Sequence, residues 1–338
     1  MINAKRLDQI AAVVFITISS GAFITLLSLN SAGYVLELGQ GASSLIRYIL
    51  ILMYGAAFAL IWYHFTPAHY LKFPSLLAIF MLVLLSFLWS EAPSLTLRRS
   101  LGVLGTLVVG VYLGSRFTTH EFMRLFAISA TLTLLISIVA IFLLPQIGLM
   151  RETQYVGAWR GIFWHKNLLG EMGALSSVVF FLLISMEKRH RWFFVLMFVL
   201  SLALTVLSES VTPLIAAIIS IGVILTLRLS TQATRIFVSL FVFAIGILPA
   251  MIYIVPRAYE AILLFFGRNP TLSGRTALWD ATIPYIAERP ILGYGYGVFW
   301  DLDAASDYIY PLLRTWTPTD AHNAYLEIMI NLGAVGLI

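Results

Sequence analysis

Long uninterrupted runs of apolar residues dominate this chain, and polar residues gather in the segments between them. Crossing the hydrocarbon core of a bilayer takes about 20 apolar residues in a helix, because every backbone polar group in lipid must be bonded within its own segment. The runs are continuous and do not alternate residue by residue, which excludes a transmembrane β-barrel. The predicted spans are 9–30, 44–63, 74–90, 100–114, 122–144, 167–186, 192–207, 210–227, 234–254 and 323–338.

Composition supports this interpretation. The 338 residues are 60% hydrophobic and only 11% charged, whereas about 25% of the residues in a soluble domain are charged. The chain has no cysteine, so disulfides and thiolate metal sites are excluded. A net charge of +5 reflects basic loops in a membrane protein and does not indicate a nucleic-acid partner. We therefore predict an all-α, polytopic helical membrane protein with about ten spans.

One large polar segment interrupts the apolar runs and is rich in glycine and aromatic residues. It forms a predicted loop over 255–321 that contains short helices. One of these covers 274–288, where apolar residues recur at helical spacing, Ser273 is a candidate N-cap and Pro290 ends the run. The final run, 323–338, stops without a polar flank, and from this we expect further spans beyond the C-terminal end.

Basic residues in the short loops predict the orientation. If the N-terminus is cytoplasmic, the inner loops hold ten basic residues and the outer short loops and span edges hold six. This distribution agrees with the positive-inside rule. The loop 255–321 then faces the periplasm, or the exterior in a cell with a single membrane.

A histidine follows this loop at the mouth of the last apolar run. Thr319 or Asp320 is a candidate cap, which would place His322 in the first helical turn at the membrane surface. Asn323 and Glu327 are four residues apart and would share a helical face. A histidine can take a proton from a hydroxyl near neutral pH, so we predict that His322 is a general base. The alternative is a capping or interfacial histidine.

Cationic residues lie on the same predicted side of the membrane. Arg160 and Lys166 precede span 167–186, and Arg275 falls in the first turn of 274–288, where a cation opposes the helix dipole. Cations beside a helix N-terminus suit a phosphate group. Arg98, Arg99 and Arg268 are additional candidate contacts to such an anion. The alternative is a set of interfacial anchors that reach towards lipid headgroups.

The ordered motifs resemble the O-antigen ligase and polymerase superfamily of bacterial membrane glycosyltransferases, including its exopolysaccharide polymerase-like members. The segments that carry the resemblance lie within 155–338, and the N-terminal helices, 1–154, match only in hydropathy. These segments are Gly161–Asn167, Ser208–Thr212, Ser273–Thr276 with Trp279, Pro290–Gly295 and His322–Glu327.

The resemblance implies transfer of a glycan from undecaprenyl diphosphate to an acceptor hydroxyl, either lipid A core or another glycan, with inversion at the anomeric carbon. It implies that His322 is the general base, that Arg275, Arg160 and Lys166 bind the diphosphate, and that Asn323 and Glu327 contribute to substrate binding. The family reaction needs no metal or other cofactor. One departure is Val211, where many relatives carry a basic residue.

Three other classes of protein fit parts of the pattern. A secondary transporter places its ionisable residues near the midplane of the membrane, whereas the polar motifs here lie at helix ends. A peptidoglycan polymerase of the SEDS type would use an aspartate of the large loop in place of the histidine. A non-catalytic scaffold leaves the external cations unexplained.

Overall fold

The regular secondary structure in the described part of the chain is helical. A computed structural model describes residues 4–22, 44–63, 74–151, 155–229, 232, 236–242, 275–303, 305–313 and 318–338. Within these ranges the chain forms no strand, and an isolated antiparallel bridge joins Leu149 and Trp159. The all-α prediction is confirmed for the described residues. The helices are α1 (Ala4–Ser19), α2 (Ser44–Tyr63), α3 (Pro74–Leu85), α4 (Pro93–Arg116), α5 (Thr119–Leu143), α6 (Pro145–Gly148), α7 (Lys166–Met186), α8 (Arg191–Leu207), α9 (Val211–Leu229), α10 (Arg275–Glu288), α11 (Tyr310–Leu313) and α12 (Ala324–Leu332).

Six helices in the described residues are long and apolar enough to cross a membrane. They cover Leu45–Tyr63, Pro93–Arg116, Thr119–Leu143, Lys166–Met186, Lys188–Leu207 and Val211–Arg228. These match six of the predicted spans, and the helix predicted at 100–114 is longer than expected because Pro93 can begin it. Most of the predicted span 234–254 and the loop residues 255–274 lie outside the described residues, so the count of about ten spans stays a prediction.

The last predicted span does not form one continuous helix. Helix α12 ends at Leu332, and its C-cap Gly333 has a φ of 63°, in the left-handed region that glycine adopts readily. A short 3₁₀ helix, Ala334–Leu337, follows. The prediction for 323–338 missed this break because the residues on both sides of the glycine are apolar.

The chain divides into two compact units. The first unit is Met1–Phe65 with Thr106–Arg235, and the second unit is Thr66–Gly105 with Ile236–Ile338. This division differs from the boundary at 154/155, which separates sequence that carries the family motifs from sequence that does not. That boundary stays a prediction.

Small residues allow close packing between helices of the first unit. A Cβ atom on Gly173 of α7 would lie 2.4 Å from Oγ1 of Thr205 on α8, so the two backbones approach too closely for a larger residue. Such small-residue contacts are typical of helices packed in lipid, where apolar burial gives no advantage over the surrounding acyl chains. Helix α5 begins with a capping box, in which Thr118 and Glu121 bond each other's backbone amides.

The second unit is built around an aromatic core. The ring of Phe299 lies 5.1 Å from those of Tyr294 and Trp300 and 5.4 Å from that of Tyr285, measured between centroids. Glycines on either side of Tyr294 and Tyr296 have positive φ, and a Cβ on Gly295 would lie 2.5 Å from that of Ser90. The glycine-rich turn therefore buries Tyr294 and lets the backbone approach its neighbours closely.

Candidate functional site

The residue preceding the predicted base is fully buried and bonded through its backbone. The N–H of Ala321 donates to Oε2 of Glu327 over 2.8 Å, and its carbonyl accepts from Nε1 of Trp279 over 2.8 Å. Trp279 lies on α10 and Glu327 on α12. Side chains from two helices thus hold the two peptide groups that flank the Cα atom of Ala321, directly before His322.

His322 lies before helix α12 and not in its first turn, which corrects the sequence prediction. Asn323 is the N-cap, and its side-chain oxygen accepts from the amides of Tyr325 at 3.0 Å and Leu326 at 3.4 Å. Asp320 cannot cap this helix because its carboxylate accepts from the His322 amide at 2.6 Å. His322 has a φ of 47°, an uncommon conformation for a residue with a side chain.

The imidazole of His322 is partly exposed and faces a carboxylate. Its Nδ1 lies 3.3 Å from Oδ1 of Asp320, and 33% of the side chain is exposed. An acid on one ring nitrogen fixes the orientation and the tautomer of an imidazole. The exposed fraction leaves room for a substrate to approach the ring.

Glu327 faces inward, where it binds protein groups. Besides the Ala321 amide, it accepts from Nε1 of Trp300 at 3.1 Å and from Nδ2 of Asn331 at 2.6 Å. Asn331 in turn accepts from the Gly297 amide at 2.6 Å. Sequence reasoning missed Asn331, although it follows Glu327 by four residues and so shares its helical face.

Charged and aromatic groups surround this network. Burial raises the pKa of Tyr296, and the negative charge of Glu327 raises it further, whereas Arg99 lowers it. Burial also raises the pKa of Tyr310, and the hydroxyl of Tyr310 donates to the Trp300 carbonyl over 2.5 Å. Both tyrosines therefore stay protonated at neutral pH.

The other cations predicted for the second unit have different surroundings. Arg275 is the first residue of α10, as predicted. Arg98 is exposed, whereas Arg99 pairs with Asp301 through a contact of 2.7 Å between Nη1 and Oδ2. Arg268 lies outside the described residues.

Arg160 of the first unit is buried against backbone carbonyls. Its Nε donates to the Ile147 carbonyl at 2.8 Å, and its terminal nitrogens lie 3.5 Å from the carbonyls of Gln146 and Trp164. The charge is thus held where α6 leads into the segment before α7.

Lys166 of the first unit is also buried. Its Nζ donates to the carbonyls of Glu209 at 2.9 Å and Ser208 at 3.4 Å, and it lies 4.8 Å from the centroid of the Tyr155 ring. His165 caps α7, because its Nδ1 accepts from the Asn167 amide at 3.2 Å. The Lys166 ammonium group therefore bonds the backbone at the corner formed by Ser208 and Glu209.

Arg160 and Lys166 belong to the first unit, and Arg275 and His322 belong to the second. Their combination into one site, and the substrate-binding roles of Asn323 and Glu327, stay predictions. In the part of the chain that the structure describes, no three His, Asp or Glu side chains are grouped as metal ligands would be.

Two comparisons with known proteins bear on these residues. The sequence model of the O-antigen ligase family matches residues 196–338, a range that contains Arg275 and the whole Glu327 network. The chain is also similar to the exopolysaccharide production protein ExoQ of Rhizobium meliloti (strain 1021). The two are 26% identical over 333 residues, which cover 94% of this chain and 73% of that protein.

The activity that this family suggests is the transfer of glycans for surface polysaccharides, with a lipid-linked glycan donor and a glycan acceptor at a membrane. The six long apolar helices agree with a membrane protein. The two matches confirm the resemblance predicted from the motifs, and residues 196–338 are the part of the chain that matches the O-antigen ligase family model.

Proposed function

We propose that the protein transfers a glycan from undecaprenyl diphosphate to an acceptor hydroxyl at the periplasmic face of the bacterial inner membrane. His322 is the general base, and the reaction requires no metal. The observation that carries the proposal is the partly exposed imidazole, held by its backbone and by Asp320, 3.3 Å from Nδ1. The extended similarity to an exopolysaccharide production protein supports polymerisation of a surface polysaccharide over ligation to lipid A core.

The proposed mechanism assigns one step to each group. Nδ1–H of His322 faces Asp320, so Nε2 carries the lone pair that accepts the proton of the acceptor hydroxyl. The acceptor oxygen forms a bond to the anomeric carbon, while the bond from that carbon to the diphosphate oxygen breaks, with inversion. Undecaprenyl diphosphate leaves with the bonding electrons, and the imidazolium returns its proton to water.

The leaving group carries negative charge that the protein must stabilise. In the proposal, Arg275, Arg160 and Lys166 supply the positive charge, which takes the place of a metal ion. Arg160 and Lys166 support this role because both are buried, at 8% and 6% exposure. A cation removed from water interacts more strongly with a nearby anion, because the surrounding dielectric is lower.

The test is genetic. The gene is deleted, surface polysaccharide is analysed for length and attachment, and the strain is complemented with wild type, His322→Asn, His322→Ala or Arg275→Ala. Asparagine is the better substitution at 322, because it adopts positive φ more readily than alanine and so removes the base with less backbone strain. Immunoblots confirm equal amounts of each protein.

We expect deletion to abolish or shorten the polysaccharide and neither His322 variant to restore it. Loss of chain length indicates a polymerase, and loss of attachment to lipid A core indicates a ligase. Unchanged polysaccharide after deletion would disprove the proposed function. Full restoration by both His322 variants would remove only the role as base.

A further inference from the structure

The backbone of Ala321 is held on both sides by side chains distant in sequence. Glu327 accepts from its N–H, and Trp279 donates to its carbonyl, each over 2.8 Å. Ala321 has no exposed surface, and Trp279 is 8% exposed. Neither bond belongs to a helix ladder, so within the described residues these two side chains satisfy the polar groups of Ala321.

The carboxylate of Glu327 is occupied by donors from three elements. Oε2 accepts from Ala321 and Trp300, and Oε1 accepts from Asn331 at 2.6 Å. A carboxylate with N–H donors on both oxygens is held rigidly by charge-assisted bonds. Glu327 thus joins α12 to the segment before it and to Trp300.

This arrangement fixes the direction in which the His322 side chain projects from the backbone. His322 follows Ala321 directly and has a φ of 47°. The left-handed conformation costs about 1 kcal/mol or more for a residue with a side chain, so the surroundings must hold it. That restraint comes from the bonds to the Ala321 N–H and carbonyl, together with the bond from the His322 amide to Asp320.

We propose that Glu327 and Trp279 are positioning residues that hold His322 in its productive orientation. They act through the Ala321 backbone, and for Glu327 this role replaces the contact with substrate that the sequence predicted. Only the direction of the imidazole, and not its chemical nature, depends on them. The inference rests on the proposed role of His322 as the base.

The first test replaces Glu327 and then restores its bonds. In Glu327→Gln, the new amide nitrogen faces the Asn331 amide, so two donors oppose each other. In the double variant Glu327→Gln with Asn331→Asp, the glutamine donates to the aspartate. Its oxygen still accepts from Ala321 and Trp300, and the second aspartate oxygen keeps the bond to Gly297; the bond from Asn331 to the backbone carbonyl of residue 327, at 2.8 Å, is lost. Glu288→Gln is the matched control, because Glu288 bonds Tyr294 in the same unit and does not contact Ala321.

We expect Glu327→Gln to lower the rate of glycan transfer by about tenfold or more, since a base misplaced by about 1 Å can lose that much. The double variant is expected to recover most of the rate, and the control to keep it. Equal rates for wild type and Glu327→Gln would overturn the inference, as would a double variant as slow as the single one.

The second test removes the other bond. Trp279→Phe keeps an aromatic ring in the core and deletes the donor to the Ala321 carbonyl. Trp89→Phe is its control, because Nε1 of Trp89 donates to a different carbonyl of the same unit, that of Leu292, at 2.8 Å. We expect a slower transfer for Trp279→Phe and an unchanged rate for Trp89→Phe. Equal effects of the two substitutions would contradict positioning.

A third measurement does not depend on activity. Diethyl pyrocarbonate modifies accessible imidazoles, and mass spectrometry of the purified full chain measures the modification of each histidine separately. Loss of the Ala321 bonds should loosen the segment and raise the modification rate of His322 in Glu327→Gln and Trp279→Phe, with His190 as an internal reference. An unchanged rate overturns the inference even if the proposed function holds. A raised rate with an active His322→Asn variant would instead refute the proposed base.

Discussion

At the scale of the residue, Tyr294 shows how burial and a carboxylate act on one hydroxyl. It is 4% exposed, and its hydroxyl donates to Oε2 of Glu288 at 2.9 Å. Burial raises the pKa of Tyr294, and the bond to Glu288 raises it further. The phenol is therefore expected to stay protonated throughout the physiological range.

This shift predicts a loss of stability at alkaline pH. An unfolded tyrosine ionises at about pH 10. Because the folded pKa is higher, the contribution of Tyr294 is complete below pH about 10 and is lost as the pH rises towards the folded value. Near pH 8, Tyr294→Phe should lower the free energy of unfolding by about 1.5 kcal/mol. This difference from wild type should become smaller above pH about 10.

Thermal unfolding in detergent across this pH range measures the difference. Tyr308→Phe is the control, because Tyr308 is 67% exposed. A gap between wild type and Tyr294→Phe that stays constant up to pH 12 would contradict the assignment.

At the scale of the element, helix α12 depends on its cap. The Asn323 oxygen accepts from two amides of the first turn. Asn323→Ala should destabilise the protein by about 1 kcal/mol, whereas Asn323→Ser should keep most of the stability, because serine is also a good N-cap. The melting temperatures of the two variants and of wild type measure these changes in stability. A stable but inactive Asn323→Ser variant would support the predicted contact with substrate, and equal stability of both variants with wild type would refute the capping role.

At the scale of the whole molecule, the absence of cysteine makes the orientation directly testable. Asp307→Cys introduces a thiol at an exposed position in the loop predicted to be periplasmic, and Arg189→Cys introduces one between α7 and α8, at a position predicted to be cytoplasmic. A membrane-impermeant maleimide should label Asp307→Cys in intact spheroplasts and label Arg189→Cys only after permeabilisation. The reverse pattern would invert the predicted topology.

The sequence predicted helices where periodicity and boundary residues agreed. The range 274–288 was predicted from apolar spacing and Pro290, and α10 covers Arg275–Glu288. The helix around Asn323 was predicted with the wrong cap, because Thr319, Asp320 and Asn323 are all capping residues. Only the structure shows that the Asp320 carboxylate accepts a hydrogen bond from the His322 amide.

The parts of the site that escaped prediction depend on contacts between distant residues. Trp279 and Ala321 are 42 positions apart, and neither periodicity nor a local motif links the indole of one to the carbonyl of the other. The same holds for Lys166 and the corner at Ser208 and Glu209. The spacing of Glu327 and Asn331, in contrast, was visible in the sequence.

The bond between Ala321 and Glu327 also affects how fast the Ala321 amide exchanges its hydrogen with solvent. An amide that is buried and bonded exchanges its hydrogen with deuterated solvent only when its surroundings open. The amide of Ala321, with no exposed surface, reports each opening of the segment that carries His322. The slowing of its exchange in the resting protein, relative to an unprotected amide, would give the free energy of that opening, and a bound glycan donor that contacts the segment should slow the exchange further.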